Sequence, residues 1–517
     1  MPVVVRLVAW SQNPYDLSVA AARTCYSGRG IVHPEEVSAD EESRRLRDRI
    51  ARSTLQAGHL TTRGHAFFTF AIEGISRAAI WSFLHSHPFY NTCQVSQRYV
   101  RVKEDNFYIP PLEGEALEIY RETLRLQMKG YEELIELLIP KAEEEYFKRF
   151  PSRSSDPSRW RRDIERKALE AARYILPIAA LAYMYHTING VTLHRYARLC
   201  EIFDTPEEIK ELVEGMIGAV REIDPDFAAE LPDPIPLEET PEFIAAQRIF
   251  GEGGKVGDER FAREFDERLG GRRSLLIDHS PRAQEILADS IRAVLGVSRE
   301  GMSDEEAIER VMNPALNPLL ADVLNPSYND KLMRSMNHVH YVFMKKLSLS
   351  ADSQDQRHRT VPASRPLLHR SYSGRPDYIV PKLIAAVPRA EELYRRGMEE
   401  VFDRINRLLE MGVHPQHALY LLPNGFPVRF FESGTLINLS HKWRMRLCLN
   451  AQEEIFSASV EELEQVRRVH PLIGRHIGPP CSIRFKAGVK PFCPEGERFC
   501  GVKVWETDIL EVDRGLI

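Results

Sequence analysis

The chain has 517 residues, 43% of them hydrophobic and 28% charged, with a formal net charge of −6 at neutral pH. A single core is not expected at this length, and two domains of roughly 200 to 250 residues are the default. The weak net charge excludes a general field for nucleic acid or an anionic membrane, so any phosphate recognition has to be local. No apolar run approaches the roughly 20 residues of a membrane span. The opening MPVVVRLVAWSQNPYD is too soon interrupted for a signal peptide, and a cytoplasmic protein is expected.

Each half of the chain begins with a short strand-like segment and a helix. In the first half, HAFFTFAIEGISRAAIWSFLHSHPFYNTCQVSQRYV (65–100) reads as a strand running into a helix, and RVKEDNFYIPP (101–111) as its extended exit. Two stretches then carry apolar residues at steps of three and four and are expected to be helical. They are EALEIYRETLRLQMKGYEELIELLIPKAEEEYFKRF and KALEAARYILPIAALAYMYHTING. PEEIKELVEGMIGAVREI (206–223) is a further helix. Between 231 and 272, Pro, Gly and charge without sustained apolar periodicity predict a linker, which divides the chain into copies at 1–230 and 273–517.

The second half opens on SLLIDHSPRAQEILADSIRAVLG and reaches HVHYVFMKKLSLSADSQDQRHRTVPASRP (338–366). The helix AEELYRRGMEEVFDRINRLLEMG is expected to stop at Gly412. It leads to QHALYLLPNGFPVRFFESGTLINLSHKWRMRLCLNAQEEI (416–455). Both halves thus run His-x-x-aromatic-x-Phe from His65 and His338, then an apolar stretch, a basic or His-rich triplet, and a Ser near an Arg. The pattern is that of a diverged tandem duplication.

The combined motif resembles the flavin-dependent thymidylate synthases, whose hallmark is Arg-His-Arg followed by a spaced Ser-x-Arg-Tyr. The first copy keeps Ser96-Gln97-Arg98-Tyr99 but has His85-Ser86-His87 in place of the triplet, with one extra residue in HSHPF. The second keeps Arg357-His358-Arg359 but loses the Tyr ending, and TVPASRPLL replaces the loop. Glu170, Arg173, Leu176-Pro177 and Asn189 match the family in the first copy, where Cys200 stands at the late Arg and Gly64 at a customary Glu. Arg446 and AQEEI (451–455) match in the second copy, where Leu419 is the counterpart of Arg173.

The resemblance implies an α+β fold, two tandem copies of a small sheet with long helices. It implies reductive methylation of dUMP to dTMP, with FAD as cofactor and methylenetetrahydrofolate and NADPH as cosubstrates. Arg98 and Arg173 would act on the pyrimidine, Arg173 oriented by Glu170 one helical turn earlier. Ser96, Gln97, Gln354 and Arg446 would hold the nucleotide. Arg357, His358, Arg359, Asn189, Thr61 and Asn450 would hold the flavin. Arg446, Asn450 and Glu454 are expected on one helix face, being spaced by four. Arginine suits these tasks because its planar fork grips phosphate and carbonyl oxygens and stays charged. The family works as a homotetramer with shared sites, so a homodimer of this tandem chain would imitate it, with complete sites between unlike copies. An enzyme acting on another pyrimidine nucleotide and a non-catalytic flavin- or nucleotide-binding scaffold are the competing readings.

The remaining features are plainer. Neither a GxGxxG turn nor a P-loop occurs. Cys481, Cys493 and Cys500 cluster near the end, in a total of seven cysteines. A zinc site would need a fourth ligand such as His470 or His476, and CxxC pairs are absent. No metal is expected, and the tail reads as a Gly/Pro-rich cap with buried thiols.

Overall fold

The computed structural model describes residues 3–84, 90–202, 204–250, 257–324 and 326–517. Two four-stranded antiparallel sheets organise it. Strands β1 (Val4–Trp10), β2 (Phe67–Ser76), β3 (Tyr90–Gln94) and β4 (Leu181–Asn189) form the first, in the order β1-β2-β4-β3. Strands β5 (Ser274–His279), β6 (His340–Ser348), β7 (Ala363–Ser364) and β8 (Pro427–Thr435) form the second, in the order β5-β6-β8-β7. The duplication read from the motif is therefore a duplication of topology.

Register makes the repeat exact enough to transfer positions. Ile72 faces Met184 across β2 and β4, and Lys345 faces Phe430 across β6 and β8. Phe70 opposes His186 as Phe343 opposes Glu432. The copies differ at Gly74, whose φ of 75° accommodates a bulge between Glu73 and Ile75, a break the β6 to β8 pairing lacks.

The stretch 167–190, expected to be helical, is split. Helix Pro157–Ala172 ends in a short 3-10 turn, Arg173–Ile175, and β4 begins at Leu181. Pro177 cannot continue the helix, and beyond it burial alternates, with Ala182, Met184 and His186 inside and Tyr183 and Tyr185 outside. The expected linker also holds more structure than a linker. Helices Pro241–Phe250 and Glu259–Leu269 lie within it. The second starts on the Asp258 cap, stops at Gly270 with φ of 58°, and buries Phe265 and Leu269 with Met344 of β6. Helix Pro388–Glu410 does stop as expected, with Gly412 at φ 84°.

The chain forms two compact units that do not coincide with its two halves. The first comprises Met1–Glu118, Ile178–Lys255 and Gly412–Leu421; the second comprises Ile119–Pro177, Val256–Met411 and Leu422–Ile517. The first unit's core gathers Phe68, Phe70, Ile72, Leu193, Leu212 and Phe227 between its sheet and its helices. The second unit's core gathers Leu287, Ile291, Phe343, Trp443, Ile455 and Leu463 in the same manner. Most of helix Gly114–Arg149 and all of Pro157–Ala172, encoded in the first copy, belong to the second unit. Two glycines permit this packing: a Cβ on Gly130 would lie 2.8 Å from Ile175 Cδ1, and one on Gly397 2.9 Å from the same methyl.

Candidate functional site

In the second unit, helix Leu349–Asp355 ends in the turn that carries Arg357, His358 and Arg359. Ser348 caps that helix by accepting from the Ala351 N–H at 3.0 Å. Helix Leu436–Arg446 brings Arg446 to it from the other side. Arg446 donates Nε to His358 Nε2 at 2.9 Å and Nη2 to the Gln354 carbonyl at 2.6 Å. Gln354 and His358 of one motif and Arg446 of another, distant in the sequence, are thus one hydrogen-bonded constellation. His358 Nε2 is the acceptor in this arrangement, so the imidazole is neutral at that atom. Burial, then the charges of Arg446 and Lys442, hold its pKa well below the usual histidine range. Arg357 and Arg359 flank it and are exposed. A neutral, fixed ring between exposed guanidinium groups can bind an anionic, planar ligand without itself changing charge.

The helix-face expectation for Arg446, Asn450 and Glu454 does not hold. The helix ends at Arg446, and Gln452 caps a new one, Glu453–Val469, by accepting from the N–H groups of Glu454 and Ile455 at 3.1 and 3.2 Å. Asn450 lies in the intervening loop and donates Nδ2 to the Arg498 carbonyl at 2.7 Å. Glu454 is buried, accepting from the Ser348 N–H and, at 3.0 Å, from the Tyr174 hydroxyl. Arg173 is buried nearby in sequence, donating Nε to the Glu170 carbonyl at 3.3 Å, while its own carbonyl accepts from Asn424 Nδ2 at 3.0 Å. The Glu170 carboxylate also lies 3.6 Å from Arg514.

The first unit holds the other candidates. Ser96 to Val100 form a turn after β3, closed by Tyr99 and Val100 N–H groups on the Ser96 carbonyl at 3.1 and 3.0 Å. Ser96 Oγ accepts from the Arg98 N–H at 3.3 Å, Gln97 is buried, and the Arg98 guanidinium lies 5.7 Å from the Tyr99 ring centre. Asn189 caps helix Gly190–Leu199, its Oδ1 accepting from Thr192 N–H at 2.9 Å and Oγ1 at 3.0 Å. Thr61 is exposed in a 3-10 turn. His85-Ser86-His87 lies outside the described residues. Ser364 is not the counterpart of Ser96: it pairs with Phe431, as Cys93 pairs with Tyr185. Arg365 instead forms a buried pair with Asp352 at 2.8 Å.

Beneath the constellation lies a group that the motifs did not point to. Lys345 Nζ stands 2.8 Å from Asp355, 3.1 Å from Glu432 and 3.1 Å from Glu462. Lys442 Nζ stands 2.9 Å from Asp355 and also bonds Glu432. All five side chains are fully buried. Trp443 Nε1 and Ser274 Oγ donate to Glu462 at 2.6 and 2.9 Å. Burial, then the charge of Asp355, raises Glu432 to about 7. By register and helix position the first unit has Ile72, Phe83, His186, Tyr196 and Met216 at these places. There Phe83 lies 4.4 Å from the Tyr196 ring and 5.3 Å from that of His186, which burial holds near 3. Asp355 and Lys442 fix the two helices that present Gln354 and Arg446. The visible signal was a Lys pair inside the apolar strand VFMKKLS.

The family described as thymidylate synthase complementing protein matches residues 6–226 and 275–472. A flavin-dependent thymidylate synthase of Clostridium tetani is 28% identical over 230 residues, covering 44% of this chain and 86% of its own. That of Geobacter sulfurreducens is 26% identical over 230 residues, covering 44% and 92%. Among solved structures, a UMP/dUMP methylase from Streptomyces cacaoi is 20% identical over 44% of this chain and 93% of that one, with a TM-score of 0.29. The two matched blocks span more than half the chain and fall one on each copy. The chain belongs to the thymidylate synthase complementing protein family, that of the flavin-dependent thymidylate synthases, and carries its fold twice in tandem.

Proposed function

We propose that the protein is a flavin-dependent thymidylate synthase, which methylates dUMP reductively to dTMP with methylenetetrahydrofolate and NADPH. The observation that carries this reading is Arg446 bonded to both His358 and Gln354 at the end of the Arg-His-Arg turn. Methylation at C5 of a uracil ring requires the ring polarised, the phosphate held and the one-carbon donor aligned. Bound FAD would supply the reducing equivalents, and the protein's share is positioning and electrostatics.

The donor set suits that cofactor. Arg357 and Arg359, exposed on either side of His358, would meet its anionic groups. Thr61, Asn189 and Asn450 are the weaker contributors, since the two asparagines already bond a helix cap and a loop carbonyl. Gln354 would meet the pyrimidine, Arg446 the phosphate, and Ser96 and Gln97 the sugar-phosphate side. Arg98 and Arg173 would polarise the ring. These residues divide between the units, with Ser96, Gln97 and Arg98 in one and Arg173, Gln354 and Arg446 in the other. The division supports composite sites in a homodimer that imitates a tetramer. Tyr183 and Tyr185, 57% and 59% exposed on β4, would give such a dimer an aromatic surface.

The test is rescue of a thymidine-requiring strain by the full chain, with flavin content measured on the purified protein. Rescue should be lost with Arg446→Ala and with Arg357→Ala. A protein that takes up no FAD, or that fails to rescue while folded, would refute the proposal.

A further inference from the structure

The two units share one buried bridge, built in each from both copies. In the second unit the Tyr174 hydroxyl donates to Glu454 at 3.0 Å, and Glu454 accepts from the Ser348 N–H at the head of helix Leu349–Asp355. In the first, the Tyr420 hydroxyl donates to Glu208 at 2.7 Å, and Glu208 accepts at 2.6 Å from the Ser76 N–H, just ahead of helix Arg77–Leu84. Backbone bonds repeat as well. The Gly425 N–H donates to the Tyr174 carbonyl at 2.8 Å, as the Ala179 N–H does to that of Tyr420 at 2.9 Å. The Ser350 N–H donates to the Asn424 carbonyl at 3.0 Å, as the Ala78 N–H does to that of Ile178 at 2.9 Å. These pairs make Tyr174 the equivalent of Tyr420, hence Arg173 that of Leu419, and Asn424 that of Ile178.

One link is peculiar to the second unit. Asn424, 5% exposed, donates Nδ2 to the Arg173 carbonyl at 3.0 Å. Its own carbonyl holds the Ser350 N–H, and Gln354, one turn on, donates Nε2 to the Ser350 carbonyl at 3.5 Å. Asn424 therefore joins Arg173, encoded in the first copy, to the helix of the second copy that carries Gln354 and leads into Arg357-His358-Arg359. The first unit has Ile178 at this place and Leu419 in place of the arginine. The Tyr-Glu-Ser bridge, common to both units, serves the fold; the amide accompanies only the arginine. Ile178 closes the same backbone bond without a polar side chain, so the fold itself does not call for an amide there, and a buried amide is costly unless bonded.

We propose that Asn424 is a positioning residue for Arg173, fixing where that arginine stands against Gln354 when a pyrimidine nucleotide binds. The inference rests on the nucleotide-binding roles given to Arg173 and Gln354 above. Arg173 sits where helix Pro157–Ala172 tightens into the 3-10 turn Arg173–Ile175, and pinning its carbonyl sets the direction in which its side chain leaves the backbone. A guanidinium held in place before the ligand arrives has less freedom to lose on binding.

The dUMP affinity of the full chain, loaded with FAD, is measured by equilibrium dialysis for the parent, Asn424→Ile, Arg173→Ala and the double variant. Asn424→Ile should weaken binding by about threefold to tenfold, the span of one net hydrogen bond. With Arg173 already replaced by Ala, the same change should weaken binding by less than about twofold, since no guanidinium is left to place. Urea unfolding reads the purely structural part, which should be the same in both backgrounds. Asn424→Asp keeps the shape and loses the donor, and it decides the matter where Asn424→Ile does not fold. Equal weakening in both backgrounds, or parental dUMP affinity in Asn424→Ile, overturns the proposal. A parent that binds no dUMP overturns both this inference and the reading beneath it; a parent that binds dUMP and makes no dTMP, with the expected pattern of affinities, overturns the proposed reaction and supports the positioning role.

Discussion

Lys345→Ile places in the second unit the residue that the first unit carries at the same register position. The ammonium it removes is within 2.8 to 3.1 Å of three carboxylates. What remains is three buried carboxyl groups around Lys442 alone. Breaking a buried ion group by removing one partner costs about 3 to 5 kcal/mol, and urea unfolding of the full chain should register a loss of that size in the second unit's transition. The loss should shrink as pH falls. The abandoned carboxyls have raised pKa values in the folded variant, so their deficit is largest at high pH and disappears as they take up protons. Replacing the whole set by its counterparts (Lys345→Ile, Asp355→Phe, Glu432→His, Lys442→Tyr and Glu462→Met) should recover most of the stability, since apolar substitutes for buried ion groups are commonly neutral or better. Recovery stops short of complete, because Trp443 Nε1 and Ser274 Oγ lose their acceptor. A single Lys345→Ile variant within about 0.5 kcal/mol of the parent, the range of inert surface changes, would refute the reasoning.

Four further outcomes follow from the geometry. Arg446→Lys keeps the charge but cannot reproduce the two-point reach to His358 and Gln354; a fall of at least about tenfold in kcat/KM is expected, equivalent to one charge-assisted bond of roughly 1.5 to 3 kcal/mol. In Arg446→Ala the His358 pKa should rise by NMR titration yet stay below the ordinary value, because burial is the larger cause. Glu208 accepts from Ser76 N–H and Oγ at 2.6 Å and from the Tyr420 hydroxyl at 2.7 Å, and burial raises it to about 7 from 4.5. The folded state therefore binds the extra proton between those values, and stability should fall as pH rises through that window, by an amount on the order of 3 kcal/mol. Glu208→Gln should flatten that slope in urea midpoints taken from pH 5 to 8. Gly190→Ala would set a Cβ 2.7 Å from the Arg63 carbonyl and 2.7 Å from the Phe227 ring, and thermal unfolding should report about 1 to 3 kcal/mol of overpacking.

Much of the site was legible because its signals are local. Arg357-His358-Arg359 stands on a turn, as a polar triplet after an apolar stretch should, and β2 and β6 carry the alternation of half-buried strands. The stretch 176–189 misled because PIAALAYMYH satisfies both a period of two and a period of about three and a half; the proline was the deciding residue. In the linker, Asp258 and Gly270 were ordinary helix start and stop signals, outweighed by the Gly and charge around them. The five-residue ion network was out of reach for another reason. Its members sit on β6, β8 and three helices, and only the tertiary fold makes a strand lysine the neighbour of three distant carboxylates. The allocation of 119–177 to the second unit was equally hidden, since an amphipathic helix does not state in its sequence which core it will cover.

That allocation has a consequence for how the protein comes into being. The nascent chain cannot finish its first unit when the first copy has left the ribosome, because Gly412–Leu421, with the Tyr420 that bonds Glu208, is still to be made. Meanwhile the long helices of 119–177 wait, apolar faces bare, for strands not yet translated. Folding is thus delayed until late in synthesis, a period in which a chaperone has something to hold. A gene cut between codons 231 and 272 would yield two fragments, neither owning a complete unit, and restoration of the fold on co-expression would be mutual complementation.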